Sequence, residues 1–278
     1  MAERAAAGRW VAARLAERGV ERVFGIPGVH TIPLYAGLSG STIEHVTPRH
    51  EQGAGFMADA YARVSGKPGV CFVITGPGVT NITTAMGQAF ADSIPMLVLS
   101  SVSERRHMGR GLGQLHELPD QHAIAAGVSA FSHTLHSLAD LPEVLDRAFA
   151  LFSGGRPRPV HIEIPLDLWD ETPPAESPPV ASPGSWQPAT ENLDEAARRL
   201  DAAARPVILA GGGARRAAAP LAELAGRLDA PVVMTVNGRG ILGLDHDLAV
   251  PASPSLDAVR ALVGDSDATL AVGTEIGP

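Results

Sequence analysis

At 278 residues, 45 % of them hydrophobic, the chain holds one large or two ordinary domains and carries enough apolar material for a sizeable core. A formal charge of −8, the absence of a Lys/Arg run, and a count of only two Tyr and three Trp argue against a nucleic acid partner. The single cysteine excludes an intramolecular disulfide and a Cys-rich metal site, and no apolar run approaches the ~18 residues that span a membrane.

Residues 3–18 alternate Ala, Val, Leu and Trp with Arg and Glu at helical spacing, and Gly19 follows as a stop. This Ala- and Arg-rich start carries Glu3 and Glu17 and runs straight into an apolar strand. It therefore reads as the first helix of the fold and not as a transit peptide, and the protein as cytoplasmic. Val23-Phe24-Gly25 is a strand ending in a Gly-Ile-Pro-Gly turn, and Ile43 to Val46 is a second short strand. Glu51 to Val64 reads as a helix stopping near Gly66. Val70 to Thr75 is a continuous apolar run, as expected of a strand covered on both faces. Cys71 lies in that run and reads as a buried packing residue. Thr80 to Asp92 is helical, Met96 to Ser100 a strand, and residues 101–121 a long polar loop. Leu141 to Phe152 is a helix and Val160 to Ile164 a strand.

Strands alternating with helices predict a doubly wound parallel sheet in an α/β fold, with ligands beyond the carboxyl ends of the strands. Residues 172–190 are rich in Pro and Ser without periodicity, and read as a linker. A second alternation follows. It comprises a helix over Glu191 to Ala203, a strand over Val207 to Ala210, a Gly211-Gly212-Gly213 turn, a helix over Leu221 to Leu228 and a strand over Val232 to Thr235. A final strand spans Thr269 to Val272. From Glu191 onward the chain is short for a doubly wound domain, so this part reads as an incomplete Rossmann-like domain.

Two strings stand out. Arg49-His50-Glu51-Gln52-Gly53-Ala54-Gly55 places a carboxylate at the start of a helix just after a short strand. Thr75-Gly76-Pro77-Gly78-Val79-Thr80-Asn81 joins a buried strand to another helix. Taken alone, Glu51 reads as a carboxylate complementing a helix dipole, and the Gly-Pro pair as a tight turn. Together with Met57-Ala58-Asp59-Ala60-Tyr61-Ala62-Arg63, the two strings resemble the pyrimidine-binding domain of thiamine diphosphate enzymes. The group in question is that of acetolactate synthases and 2-oxoacid decarboxylases. Val23-Phe24-Gly25-Ile26-Pro27-Gly28, Asp92-Ser93-Ile94-Pro95-Met96 and the segment Gly155 to Pro165 extend the resemblance. Residues 205–240 resemble the start of the group's central domain, so the likeness covers essentially the whole chain. Domains are accordingly expected at 1–171 (pyrimidine-binding) and 191–278 (partial central domain), joined by the 172–190 linker.

The resemblance implies thiamine diphosphate as cofactor, with Glu51 as the carboxyl group that hydrogen-bonds a pyrimidine ring nitrogen and switches the cofactor on. Burial of that carboxyl raises its pKa and a helix N-terminus lowers it, and the sequence leaves open which wins. The resemblance places Pro27, Gly28, Thr75, Pro77, Gly78 and Asn81 beside the cofactor. Gly28-Val29-His30-Thr31 and Gly111-Leu112-Gly113-Gln114-Leu115-His116-Glu117-Leu118 look most like the 5-guanidino-2-oxopentanoate decarboxylase branch. Synthases usually carry Ala-Phe-Gln-Glu where this chain has Gln114-Leu115-His116-Glu117. His30, Gln114 and His116 are thereby substrate candidates, with solvated loop histidines the alternative, and Glu117 and Asp120 are carboxylates available to a guanidinium group. Synthases of the group also hold a non-redox FAD, and Arg156 matches a residue that touches it. Decarboxylases often lack FAD, and the Gly211-Gly212-Gly213 stretch fails the dinucleotide fingerprint at Arg216, so FAD is not the expected reading.

Asp92, Asp120, His116 and His122 show no helix-borne ligand spacing, and no protein-only metal site is expected. In the group Mg²⁺ is held by a C-terminal domain marked by Gly-Asp-Gly and, further on, Asn-Asn, and this sequence contains neither. The expectation is a 2-oxoacid decarboxylase portion, with a guanidino oxoacid as the candidate substrate, that needs a diphosphate-binding domain supplied by a longer chain or a separate polypeptide. By the resemblance the complete enzyme is a homodimer or homotetramer. The alternatives are an acetolactate synthase-type carboligase and a non-catalytic scaffold or partner subunit.

Overall fold

The computed structural model describes residues 2–175, 179–181 and 187–276. Residues 176–178 and 182–186 of the expected linker, and Gly277-Pro278, lie outside the described residues. The chain divides into two compact units, residues 1–185 and 186–278.

The first unit contains α1 (Ala2–Ala16), β1 (Arg22–Gly25), α2 (Ile32–Leu38), β2 (Glu44–Val46), α3 (Glu51–Ser65) and β3 (Gly69–Val73). It continues with α4 (Pro77–Ala91), β4 (Met96–Val102), α5 (Gln121–Ala126), β5 (Phe131–Thr134), α6 (Leu141–Ser153) and β6 (Val160–Pro165). The strands form one parallel sheet in the order β2-β1-β3-β4-β6-β5. One face packs Val23, Val70, Phe72, Leu97 and Leu99 against Val11 and Leu15 of α1, Leu34 of α2 and Leu145 of α6. The other packs Phe24, Cys71, Val73 and Val98 against Ala54 and Ala58 of α3 and Ile82 and Met86 of α4. Alternate residues of β3 thus feed both cores, which explains its unbroken apolar run. Cys71 is fully buried, and the surrounding apolar core pushes its thiol pKa up, as the packing reading expects.

On the second face the character changes under α5. There Ser100, His161 and Glu163 replace the apolar side chains, all fully buried. The expected 101–121 loop is shorter than its sequence reading, because β4 runs on to Val102 and α5 opens at Gln121. The helix read from Thr80 starts at Pro77, so two residues of the expected Gly-Pro-Gly turn are helical. Among the described residues of this unit, three elements, α2, α5 and β5, escaped the periodicity. The short α2 packs on α1 through Gly8 and Gly37, where a Cβ at Gly8 would fall 1.8 Å from the Pro33 carbonyl oxygen. The six-residue α5 and the half-buried edge strand β5 are too short and too polar to show a period.

The second unit contains α7 (Thr190–Asp201), β7 (Pro206–Ala210), α8 (Ala218–Leu228), β8 (Val232–Met234), β9 (Ala249–Val250), α9 (Asp257–Gly264) and β10 (Ala268–Val272). Its parallel sheet runs β10-β7-β8-β9. Leu221 and Ala225 of α8 cover one face and Val259 of α9 the other. Among the described residues no helix is long and apolar enough to cross a membrane.

Candidate active site

In the first sheet β1 is followed by β2 on one side and neighbours β3 on the other. The loops leaving the carboxyl ends of β1 and β3 therefore diverge, and the crevice between them is where doubly wound sheets bind ligands. Pro27, Gly28 and His30 follow β1, Thr75 and Gly76 follow β3, and Glu51 follows β2. The His30 Nδ1 and Thr75 Oγ1 atoms meet at 3.0 Å, directly across that crevice.

Glu51 is the first residue of α3. His50 caps the helix, its Nδ1 accepting the Gln52 N–H at 3.1 Å. α3 and α4 cross closely at Gly55, where a Cβ would lie 2.4 Å from the Ala85 Cβ. That approach brings Asn81, one turn into α4, within reach of Glu51. Asn81 Nδ2 donates to Glu51 Oε2 at 2.9 Å. Among the described residues this is the one hydrogen bond to the carboxylate, and Oε1 is left open in a half-buried position.

Gly76 caps α4 with φ +67°, a left-handed backbone that only glycine adopts at low cost. A Cβ there would lie 2.2 Å from the His116 carbonyl oxygen. Pro77 takes the first helical position, where its missing N–H costs nothing, and Gly78 is buried against Ile74. His116 sits at φ +60° in the long loop, and its ring stands edge-on to His30, centroids 6.1 Å apart. Burial, and secondarily the His116 ring, push the His30 pKa below its ordinary value. Gln114 is exposed, and its backbone N–H donates to Glu117 at 2.9 Å. The same carboxylate accepts Gly111 and Leu112 amides, and these backbone bonds, Gln114 first, hold it below the usual carboxylate range. Asp120 caps α5 through the Ala123 N–H.

A residue missed in the sequence joins this cluster. Gln121, 4 % exposed, accepts the Gly76 N–H on Oε1 at 2.7 Å. Its Nε2 donates to Ser100 Oγ at 3.1 Å, the Ser101 carbonyl at 3.0 Å and Glu163 Oε2 at 3.0 Å. Thr134 donates to Glu163 Oε1 at 2.5 Å, and desolvation raises the Glu163 pKa against these two bonds. His161 bridges Ser100 and Ser132 at 2.7 Å each, and burial pushes its pKa down to about 3. The available signal was β6 itself, where His161 and Glu163 interrupt an otherwise apolar strand. Beside Thr75 and Gln121, under the long loop, lies a cavity of ≈ 260 Å³ walled by Val102, Met108, Leu118, Glu117, Asp120 and Glu163.

Other candidates fall elsewhere. Arg156 is exposed in the connection between α6 and β6, at the amino end of β6 and so at the end of the sheet opposite Glu51. In the second unit Gly213 N–H donates to the Gly273 carbonyl at 3.0 Å, and a Cβ at Gly211 would lie 2.2 Å from that oxygen. The glycine run thus serves a backbone-to-backbone contact between the loops after β7 and β10. Among the described residues no group of three or more His, Cys, Asp or Glu is placed to hold a metal ion.

Residues 5–124 match the family description "Thiamine pyrophosphate enzyme, N-terminal TPP binding domain", and residues 193–278 match "Thiamine pyrophosphate enzyme, central domain". The chain is 54 % identical over 273 residues to the "Probable 2-ketoarginine decarboxylase AruI" of Pseudomonas aeruginosa, covering 97 % of this chain and 49 % of that protein. It is 38 % identical over 242 residues to the "Acetolactate synthase isozyme 1 large subunit" of Escherichia coli, covering 85 % and 42 %. It is 36 % identical over 272 residues to the "Acetolactate synthase" of Mycobacterium bovis, covering 94 % and 43 %. The chain spans about half the length of these curated relatives.

Proposed function

This chain belongs to the thiamine pyrophosphate enzyme family, and we propose that it supplies the pyrimidine half of the active site of a 2-oxoacid decarboxylase acting on a guanidino 2-oxoacid. The observation that carries this reading is the Glu51 carboxylate, held on one oxygen by Asn81 and open on the other, at the crevice end of the sheet. An open carboxyl oxygen in a half-buried site is what a pyrimidine ring nitrogen requires. Gly28 and Gly76 let the backbone pack directly against Ile74 and the His116 carbonyl, where a Cβ would clash, and so hold the two crevice loops in a tight wall. Pro27, Thr75, Pro77 and Gly78 complete that wall.

Thiamine diphosphate, when bound, would supply a carbon nucleophile for the 2-oxo carbon and an electron sink for decarboxylation. The chain's own residues bind and orient it. Glu51 would hold a proton at Oε1, Asn81 fixes the carboxyl plane, and His30 and His116 face the reacting region as substrate contacts. The domain division at 1–171, 172–190 and 191–278 belongs to this reading. So do Mg²⁺ held outside these residues, pairing of chains as a homodimer or homotetramer, and a cytoplasmic location. No FAD role is included, because Arg156 lies at the other end of the sheet from Glu51.

The guanidino preference is supported by the cavity beside Thr75. Its walls carry Glu117, Asp120 and Glu163, with Val102, Met108 and Leu118 to take an aliphatic stem and no Lys or Arg. The relationship to acetolactate synthases favours carboligation as the second reading. The test is product analysis with the full-length protein, thiamine diphosphate and Mg²⁺. Carbon dioxide and 4-guanidinobutanal from 5-guanidino-2-oxopentanoate support the first reading. Acetolactate from pyruvate, with no turnover of the guanidino acid, would establish the second.

A further inference from the structure

Gly76 presents an unusual requirement. Its N–H lies ahead of the first turn of α4, outside the helix ladder, on a backbone that no side chain of its own can cap. A buried amide without a partner costs about 1–3 kcal/mol. The partner is Gln121, reached from 45 residues further along the chain. The direction of that amide is fixed. Its Nε2 faces three acceptors, Ser100 Oγ, the Ser101 carbonyl and Glu163 Oε2, so a flipped amide would set oxygen against oxygen.

Glu163 makes the arrangement more specific. It is fully buried, and among the described residues no cation pairs with it. A carboxyl group in that position is costly for the fold and calls for a use. Its two oxygens face Thr134 and Gln121. The same cluster reaches the opposite lip of the crevice, because Ser101 Oγ donates to the His30 carbonyl at 2.7 Å. One buried network therefore holds the loop after β1 by a carbonyl and the turn after β3 by an amide.

We propose that Gln121 is a positioning residue for the cofactor: seated on the buried Glu163–Thr134 pair, it fixes the Gly76 amide and with it the backbone turn against which the pyrimidine lies. This rests on the thiamine diphosphate reading above. A side chain at 121 must accept from Gly76 and donate to Glu163 at once, and a carboxamide does both. Glutamate keeps the acceptor but turns a second carboxylate on Glu163. Exchanging the pair, Gln121→Glu with Glu163→Gln, restores a donor between the two positions and leaves only the Ser101 carbonyl facing an oxygen.

The test uses the full-length protein without substrate, and reads calorimetric titration with thiamine diphosphate in Mg²⁺ and hydrogen exchange at the Gly76 amide in cofactor-free protein. Gln121→Glu should weaken binding at least tenfold and speed Gly76 exchange at least tenfold, with β3 protection unchanged. Adding Glu163→Gln should recover at least threefold of each loss. Gln121→Met, similar in length and uncharged, should reproduce the loss if the glutamate variant fails to fold. Wild-type affinity and exchange in a folded Gln121→Met protein, or a folded double variant no better than Gln121→Glu, overturn the proposal. Wild-type protein that takes up no thiamine diphosphate overturns the cofactor reading instead, and the exchange data then judge the Gln121–Gly76 bond alone.

Discussion

Asn81 on α4 donates to Glu51 at the first position of α3, 30 residues apart in sequence and 2.9 Å apart in space. The bond leaves Glu51 one open oxygen and fixes the plane of its carboxyl. If that oxygen holds the proton that activates the cofactor, then Glu51→Gln removes the acid and keeps the shape. Turnover by the full-length enzyme should fall by roughly 10²–10⁴-fold, the range typical of a positioned acid–base group. The melting temperature should stay within about 2 °C, since Gln still accepts from Asn81. Near-normal kcat in the folded variant would remove Glu51 from the chemistry.

Gly76→Ala tests the turn. The new Cβ meets the His116 carbonyl oxygen at 2.2 Å on a backbone of φ +67°. The clash is with main chain, so the long loop must move. The strained backbone conformation alone costs on the order of 1–3 kcal/mol. Lower melting temperature and weaker thiamine diphosphate binding are expected together, by differential scanning calorimetry and titration. A variant that keeps both would mean the loop yields freely and the contact shapes nothing.

Legibility in the sequence followed the length of the local signal. The long helices α3 and α4 and the apolar β3 could be read because each carries a full period or an unbroken buried run. Glu51, Gly76 and Asn81 were legible because they sit in contiguous strings beside those elements. α5 and β5 were not, since six and four residues are too few to show a period. Gln121 was hidden for a further reason. Its importance lies in partners at 76, 100 and 163, contacts set by sheet order, while Gln114 stood in the string that drew attention and lies exposed.

Glu117 clamps the loop that carries His116. Its carboxylate accepts the Gly111, Leu112 and Gln114 amides across a stretch where Gly111 and Gly113 both have positive φ. Glu117→Ala should free residues 111–114. The expected result is at least tenfold faster amide exchange there, with the melting temperature nearly unchanged because the loop is exposed. KM for the oxoacid should rise more than kcat falls, as His116 loses its fixed place opposite His30 and the cavity loses one carboxylate. An unchanged KM with a released loop would remove His116 from substrate binding.

The buried His161 gives stability an acid limb with a definite sign. Its folded pKa is pushed down by burial to about 3, from an ordinary value of 6.5. As pH falls below 6.5, the unfolded chain binds a proton that the folded chain refuses, so stability is lost over the window from 6.5 to about 3, at up to ~1.4 kcal/mol per pH unit. His30 and His133, both lowered mainly by burial, act in the same direction. Glu163 acts in the opposite direction: its raised pKa contributes stability below 4.5 that is lost as pH rises through the folded value. Comparing His161→Gln with wild type isolates one of these terms, because Gln can still bond Ser100 and Ser132 without titrating. The variant should be the less stable protein at pH 7 and should close the gap steadily between pH 6.5 and 5, read as melting temperatures of the full-length protein. A gap that stays constant with pH would show that His161 is free to protonate in the folded state, and that the Ser100–His161–Ser132 bridge opens to water.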